Sequence, residues 1–99
     1  MNNLFIIVLW REETQSPYVY HTNKRFHETP NWFRGCKVVE YKSRKRAEQV
    51  ACTCCSTHNY GKSYAMTRQT YLNICEAIKF VYDRKERKAI FERIIENEK

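Results

Sequence analysis

Leu4 to Trp10 is an unbroken run of seven apolar residues, Leu-Phe-Ile-Ile-Val-Leu-Trp, dominated by β-branched and aromatic side chains. Successive side chains of a strand point to opposite faces, so a run that is apolar at every position reads as a buried central strand. It is far short of the ~20 residues needed to cross a bilayer. It also lacks a basic leader and a small-residue cleavage site, so no signal peptide or membrane partner is expected. A cytoplasmic setting is expected, with the five cysteines held as thiols.

The rest of the chain supplies partners for that strand. Residues 3–10 form the first strand and Arg11 to Pro17 a polar turn. Tyr18 to Thr22 is the second strand, placed to form a hairpin with the first. Residues 23–35 read as a long loop carrying Phe26, Trp32 and Phe33 and ending at Gly35. Cys36 to Lys42 is the third strand, with Val39 and Tyr41 on one face and Glu40 and Lys42 on the other. Ser43 is a good N-cap for a first helix that runs to about His58, since Ala47, Val50, Ala51 and Cys54 recur at helical spacing.

Asn59 to Lys62 is a turn, and Ser63 to Arg68 a further short strand. Thr70 caps a second helix whose core face is Ile74, Ile78 and Val81, flanked by Tyr71 and Cys75. From Asp83 the chain is highly charged while Ala89, Ile90, Phe91, Ile94 and Ile95 keep an apolar stripe, either in the same helix or in a third one beginning near Asp83-Arg84. Asp83–Arg87 and Lys88–Glu92 are opposite charges at helical i,i+4 spacing. The fold expected is α+β, a single domain over residues 1–99. A small antiparallel sheet of three to four strands packs against two or three helices in the order β-β-β-α-(β)-α. Leu4, Ile6, Val8, Val39, Tyr41, Val50, Cys54, Ile74, Ile78 and Cys75 should be buried. The C-terminal stripe is covered either by its own domain or by a second copy in a homodimer.

The net charge of +7 is unevenly spread. Residues 1–23 carry −1, residues 24–68 carry +7 and residues 69–99 carry +1. The excess lies in the middle segment, which suggests a basic face suited to an acidic protein surface, a nucleoprotein, a nucleic acid or a nucleotide. Within it, Arg44, Lys45 and Arg46 fall in the first turn of the expected helix, where each cation costs roughly 0.3–1 kcal/mol against the helix dipole. Free N–H groups at a helix start attract anions. Lys42, Ser43, Arg34, Lys37, Lys62 and Arg68 could join the triplet as an anion- or partner-binding group. Trp32, Tyr60 and Tyr64 are candidates for stacking on bases, beside Tyr41 and Phe33. The bland alternatives are a solvated basic helix face, paired with Glu40 and Glu48, and aromatics that fill the core.

The passage Tyr41-Lys42-Ser43-Arg44-Lys45-Arg46-Ala47-Glu48, following Lys37 to Tyr41, resembles a strand-to-helix unit found in many small α+β proteins, often from phages. The likeness spans about residues 37–51. It implies a helix whose alanine packs back on the sheet and transfers no catalytic residue.

Cys52, Cys54, Cys55 and His58 offer two zinc ligands one helical turn apart, with Cys36, Cys75, His21 or His27 needed to complete a tetrahedron. No second C-x-x-C pair supports that reading, and buried cysteine commonly acts as a small hydrophobe, so no metal and no disulfide are expected. No cysteine falls at a helix start, where a thiolate would be activated. Glu12 and Glu13 are adjacent in a loop and point apart. Gly35 and Gly61 are the only glycines, so a phosphate-cradling loop is missing. No catalytic residue and no cofactor are therefore expected. The function expected is a small basic binding protein, of the kind a phage-type (anti-CRISPR-like) inhibitor of a host nucleoprotein or defence complex would be, the cytoplasm then being the host's. Direct nucleic-acid or nucleotide binding and a zinc-stabilised interaction module are the alternatives.

Overall fold

The structure is a computed structural model that describes residues 4–58 and 62–98, with the backbone alone described for residues 54–58. Strands β1 (Phe5–Arg11), β2 (Ser16–Tyr20) and β3 (Phe26–His27) are followed by helix α1 (Arg44–His58), strand β4 (Ser63–Thr67) and helices α2 (Arg68–Ile78) and α3 (Arg84–Glu98). The strands form one antiparallel sheet in the order β3-β2-β1-β4. The α+β class and the central place of the apolar run are thus both realised.

β1 is covered on both faces, and the period of two along it explains how. Ile6, Val8 and Trp10 join Val19 and Met66 on one side and pack against Tyr71, Ile74 and Ile78 of α2 and Phe91 and Ile95 of α3. Trp10 stacks on Phe91 with ring centres 4.3 Å apart. Ile7 and Leu9 turn the other way and are fully buried, where α1 packs on β1 and β4 and contributes buried Ala47 and Ala51. The C-terminal stripe is therefore covered by its own domain, with Ile90 and Ile94 packed at its margin.

The β1–β2 turn is held by its own Gln15 and by side chains that lie far away in sequence. Gln15, at φ +52°, accepts from Trp10 Nε1 (3.1 Å) and donates to Glu12 O (2.9 Å). Arg87 donates to the carbonyls of Gln15 (2.8 Å), Ile78 (3.0 Å) and Val81 (2.7 Å), and Arg84 donates to those of Glu12 and Glu13. Lys88 pairs with Glu12, which holds the Glu12 carboxyl below and the Lys88 ammonium above its ordinary pKa. The Arg87 and Lys88 side chains thus serve the hairpin rather than the expected i,i+4 partners Asp83 and Glu92. Asp83 instead accepts from Glu86 N (2.9 Å) as the cap of a separate third helix.

Several expectations need correction. Cys36 to Lys42 does not form a strand. Its backbone first meets the end of β2, through Thr22 N to Lys37 O (2.8 Å) and Val39 N to Tyr20 O (3.1 Å). It then crosses to β1, where Tyr41 and Phe5 bridge. A segment that bonds to two strands in turn straps the end of the sheet instead of extending it. The third strand is Phe26–His27, inside the expected loop, and Val38 is the buried residue while Val39 and Tyr41 are half-buried. Leu4 is exposed just before β1, Val50 and Cys75 are half-buried, and Cys54 lies among the side chains outside the described set. The second strand starts and ends two residues early. Thr67, not Thr70, caps α2, whose helix ends before Val81.

Candidate functional site: a cationic and aromatic end of the sheet

β1 begins, and β2 and β4 end, at one end of the sheet, and both α1 and α2 start there. The pairing Phe5↔Thr67 and the bridge Phe5↔Tyr41 fix that arrangement. Ser43 caps α1, its Oγ accepting from Arg46 N (3.3 Å), and no acidic residue occupies the first turn. Lys42, Lys45 and Arg46 are exposed, whereas Arg44 is half-buried. The Arg44 guanidinium lies 4.8 Å above the Phe5 ring and 3.5 Å from Glu98 Oε1. One member of the triplet is therefore engaged in the fold, and two point to solvent.

A second group of residues reaches the same end through the strap. Val38 N bonds to Asn31 O (2.8 Å), and Asn31 N donates to His21 Nε2 (3.0 Å). His21 is 2 % exposed and contacts the Val19 carbonyl through Nδ1 at 2.9 Å. Those contacts fit a neutral ring that donates at Nδ1 and accepts at Nε2. Burial, with His27 beside it, holds its pKa below the ordinary value. The anchored strap brings Trp32 under the Arg68 guanidinium at 4.1 Å and edge-on to Tyr71 at 6.2 Å. Phe33, the next residue, is 81 % exposed. Arg34 and Lys37 follow in the same exposed loop.

The structure thus gathers Arg34, Lys37, Lys42, Lys45, Arg46 and Arg68 with Trp32 at one end. It does not bring Lys62 there, which stands at the opposite end of β4 with its ammonium 5.4 Å from the Tyr64 ring. Tyr64 packs on Phe91 (5.2 Å), half-buried. Tyr60 and the side chains of Cys54, Cys55 and His58 lie outside the described residues, while Cys52 and Cys36 are exposed. Among the described residues no cluster of three metal-ligating side chains occurs. Burial raises the pKa of the Cys75 thiol, the reverse of what an activated nucleophile needs.

Glu98 is the site residue that sequence reading missed. It neutralises Arg44 from 54 positions away, and no local pattern announces such a pair. Compared with models of known protein families, with curated proteins and with solved structures, the chain matches none. Among the described residues no helix is long and apolar enough to cross a membrane.

Proposed function

We propose that the chain is a small basic binding protein that occupies an acidic or phosphate-bearing partner, as a phage-type inhibitor of a host nucleoprotein or defence complex would. The observation that supports this reading is the state of the cations at the strapped end. Lys42, Lys45, Arg46, Arg34 and Lys37 are all exposed, and among the described residues none has an ion-pair partner. Uncompensated like charges repel one another and cost stability, a cost that an anionic partner removes.

A second reading, direct binding of single-stranded nucleic acid or a nucleotide, is favoured by the Arg68–Trp32 stack and the exposed Phe33 ring next to it. An aromatic platform beside cations is the usual way to hold unpaired bases.

Fluorescence anisotropy with labelled single-stranded oligonucleotides and with polyglutamate tests both readings. Binding to at least one of them is expected at ~50 mM salt, falling steeply as salt rises. Lys45→Glu/Arg46→Glu should weaken it strongly, while the equal charge change Lys85→Glu/Arg93→Glu on α3 should not. Absence of binding to both polyanions, or equal loss in both variants, defeats the proposal.

A further inference from the structure

β4 is an edge strand, and its outer edge is open. The bond from Trp10 N to Lys62 O (3.2 Å) sets the phase of the β1–β4 ladder. Antiparallel pairing alternates, so Tyr64 and Met66 turn their N–H and C=O groups to β1 while Ser63, Ala65 and Thr67 turn theirs outward. The outward Thr67 N–H is taken by Glu98 Oε1 at 2.9 Å. Among the described residues, nothing bonds to the outward groups of Ser63 and Ala65.

A groove of about 350 Å³ runs along this edge. One wall is α1, through Glu48, Ala51 and Cys52, and the other is α3, through Ile95 and Glu98. Those helices cover opposite faces of the sheet, so a hollow that touches both can only follow the strand edge. Ser63 lies in its lining, 8 % exposed, with its Oγ buried and without a hydrogen-bond partner. Unpaired edges usually invite pairing and are normally blunted or covered. Here the blunting stops at Thr67.

We propose that the β4 edge binds an extended segment of a partner protein as an added strand, three or four residues long at ~3.3 Å per residue. Helical walls on both sides leave room for one strand and not for a second sheet bearing its own helices, which argues against edge-to-edge pairing of two copies. The Arg44–Glu98 pair closes the Thr67 end without net charge. Lys62, at the other end, has no ion-pair partner among the described residues, so the segment carries an acidic side chain there. Small and apolar side chains suit the Ala51 and Ile95 walls. This site is separate from the basic end and stands whether or not that end binds a polyanion.

The test uses a displayed library of seven-residue peptides, panned on the full chain, with the selected peptides then synthesised. They should carry an acidic residue and slow amide exchange at Ser63 and Ala65. Ala65→Pro removes the outward N–H without touching the ladder, a place where an edge strand tolerates proline after an extended residue. It should weaken binding at least ~tenfold, as loss of a main-chain contact to the added strand requires. Cys52→Trp fills the groove from the α1 wall and should weaken binding equally, which decides the matter if Ala65→Pro does not melt cooperatively. A library that yields no binder, or peptides that bind both variants as tightly as the parent, overturns the proposal. So does a concentration-dependent dimer by light scattering that Ala65→Pro converts to monomer, because a second copy would then be the occupant.

Discussion

Glu98 Oε1 lies 2.9 Å from the backbone nitrogen of Thr67 and 2.9 Å from Thr70 Oγ1, so the last turn of α3 caps the first turn of α2. α2 has no acidic residue in its own first turn, and Glu98 supplies one from another helix. A carboxylate there meets the positive end of the helix dipole and satisfies a terminal N–H. Its contact with Arg44 adds the start of α1, so three helix ends meet at one side chain.

Glu98→Ala should therefore destabilise the chain by about 1–3 kcal/mol, the usual cost of leaving partly buried donors without an acceptor. Glu98→Gln keeps an acceptor and should cost less. Urea unfolding followed by circular dichroism measures both, and an alanine variant as stable as the parent would show that the cap is dispensable.

Gln15 and Arg87 make the second dependence, at the opposite end of β1. Gln15→Ala removes the acceptor of buried Trp10 Nε1, at a cost of about 1–3 kcal/mol. Arg87→Lys keeps the charge but not the planar fork that reaches the Gln15, Ile78 and Val81 carbonyls. It should lower the melting temperature and speed amide exchange in the β1–β2 turn and the α2–α3 link together. Independent changes in the two segments would mean that Arg87 does not couple them.

His21 makes stability depend on pH in one direction. Its folded pKa is depressed by burial, so the unfolded chain binds the proton more readily. Stability then rises with pH wherever the unfolded state holds the extra proton. The contribution is complete above the ordinary imidazole pKa and is lost as pH falls below it, by at most ~1.4 kcal/mol per pH unit for one proton. Protonation at Nε2 also removes the acceptor of Asn31 N, so exchange at Asn31 and Val38 should quicken first. The stability difference between the parent and His21→Gln should shrink from pH 7.5 to pH 5. A difference that stays constant across that range would exclude His21 as its origin.

What the sequence made legible was whatever rests on local periodicity. The two-sided burial of Ile6 to Trp10, the Ser43 cap and the helical face of Ile74 and Ile78 are set within a few residues, and the structure has them. The segment 36–42 alternates like a strand, yet its hydrogen bonds are divided between β2 and β1, a choice made by tertiary geometry. Val38 is buried where alternation favoured Val39 and Tyr41, because the strap approaches the sheet end-on through Asn31 and His21. The engagement of Arg44 by Glu98 and Phe5, like that of Lys88 by Glu12, joins residues too distant for any pattern to connect. Arg68 over Trp32 spans 36 positions and is hidden in the same way.

Phe33 separates the two readings of the basic end. Its ring is 81 % exposed, so Phe33→Ala should leave the melting temperature within about 2–4 °C of the parent, the shift that a surface change of ±0.5 kcal/mol gives a domain of this size. If unpaired bases stack there, the variant should bind single-stranded oligonucleotides more weakly by about 1–3 kcal/mol while its affinity for polyglutamate is unchanged. Lys45→Glu/Arg46→Glu should instead weaken both probes, and reduce the steepness of the salt dependence for single strands by ~0.7 per lost phosphate contact. The same reversal should not lower stability, because acids in the first turn of α1 favour the helix dipole by about 0.3–1 kcal/mol each. Arg44 is left intact in this design, since its guanidinium is committed to Glu98 and Phe5. Equal oligonucleotide affinity in the parent and Phe33→Ala would exclude stacking of bases on Phe33 and leave the surface to an acidic or phosphate-bearing partner.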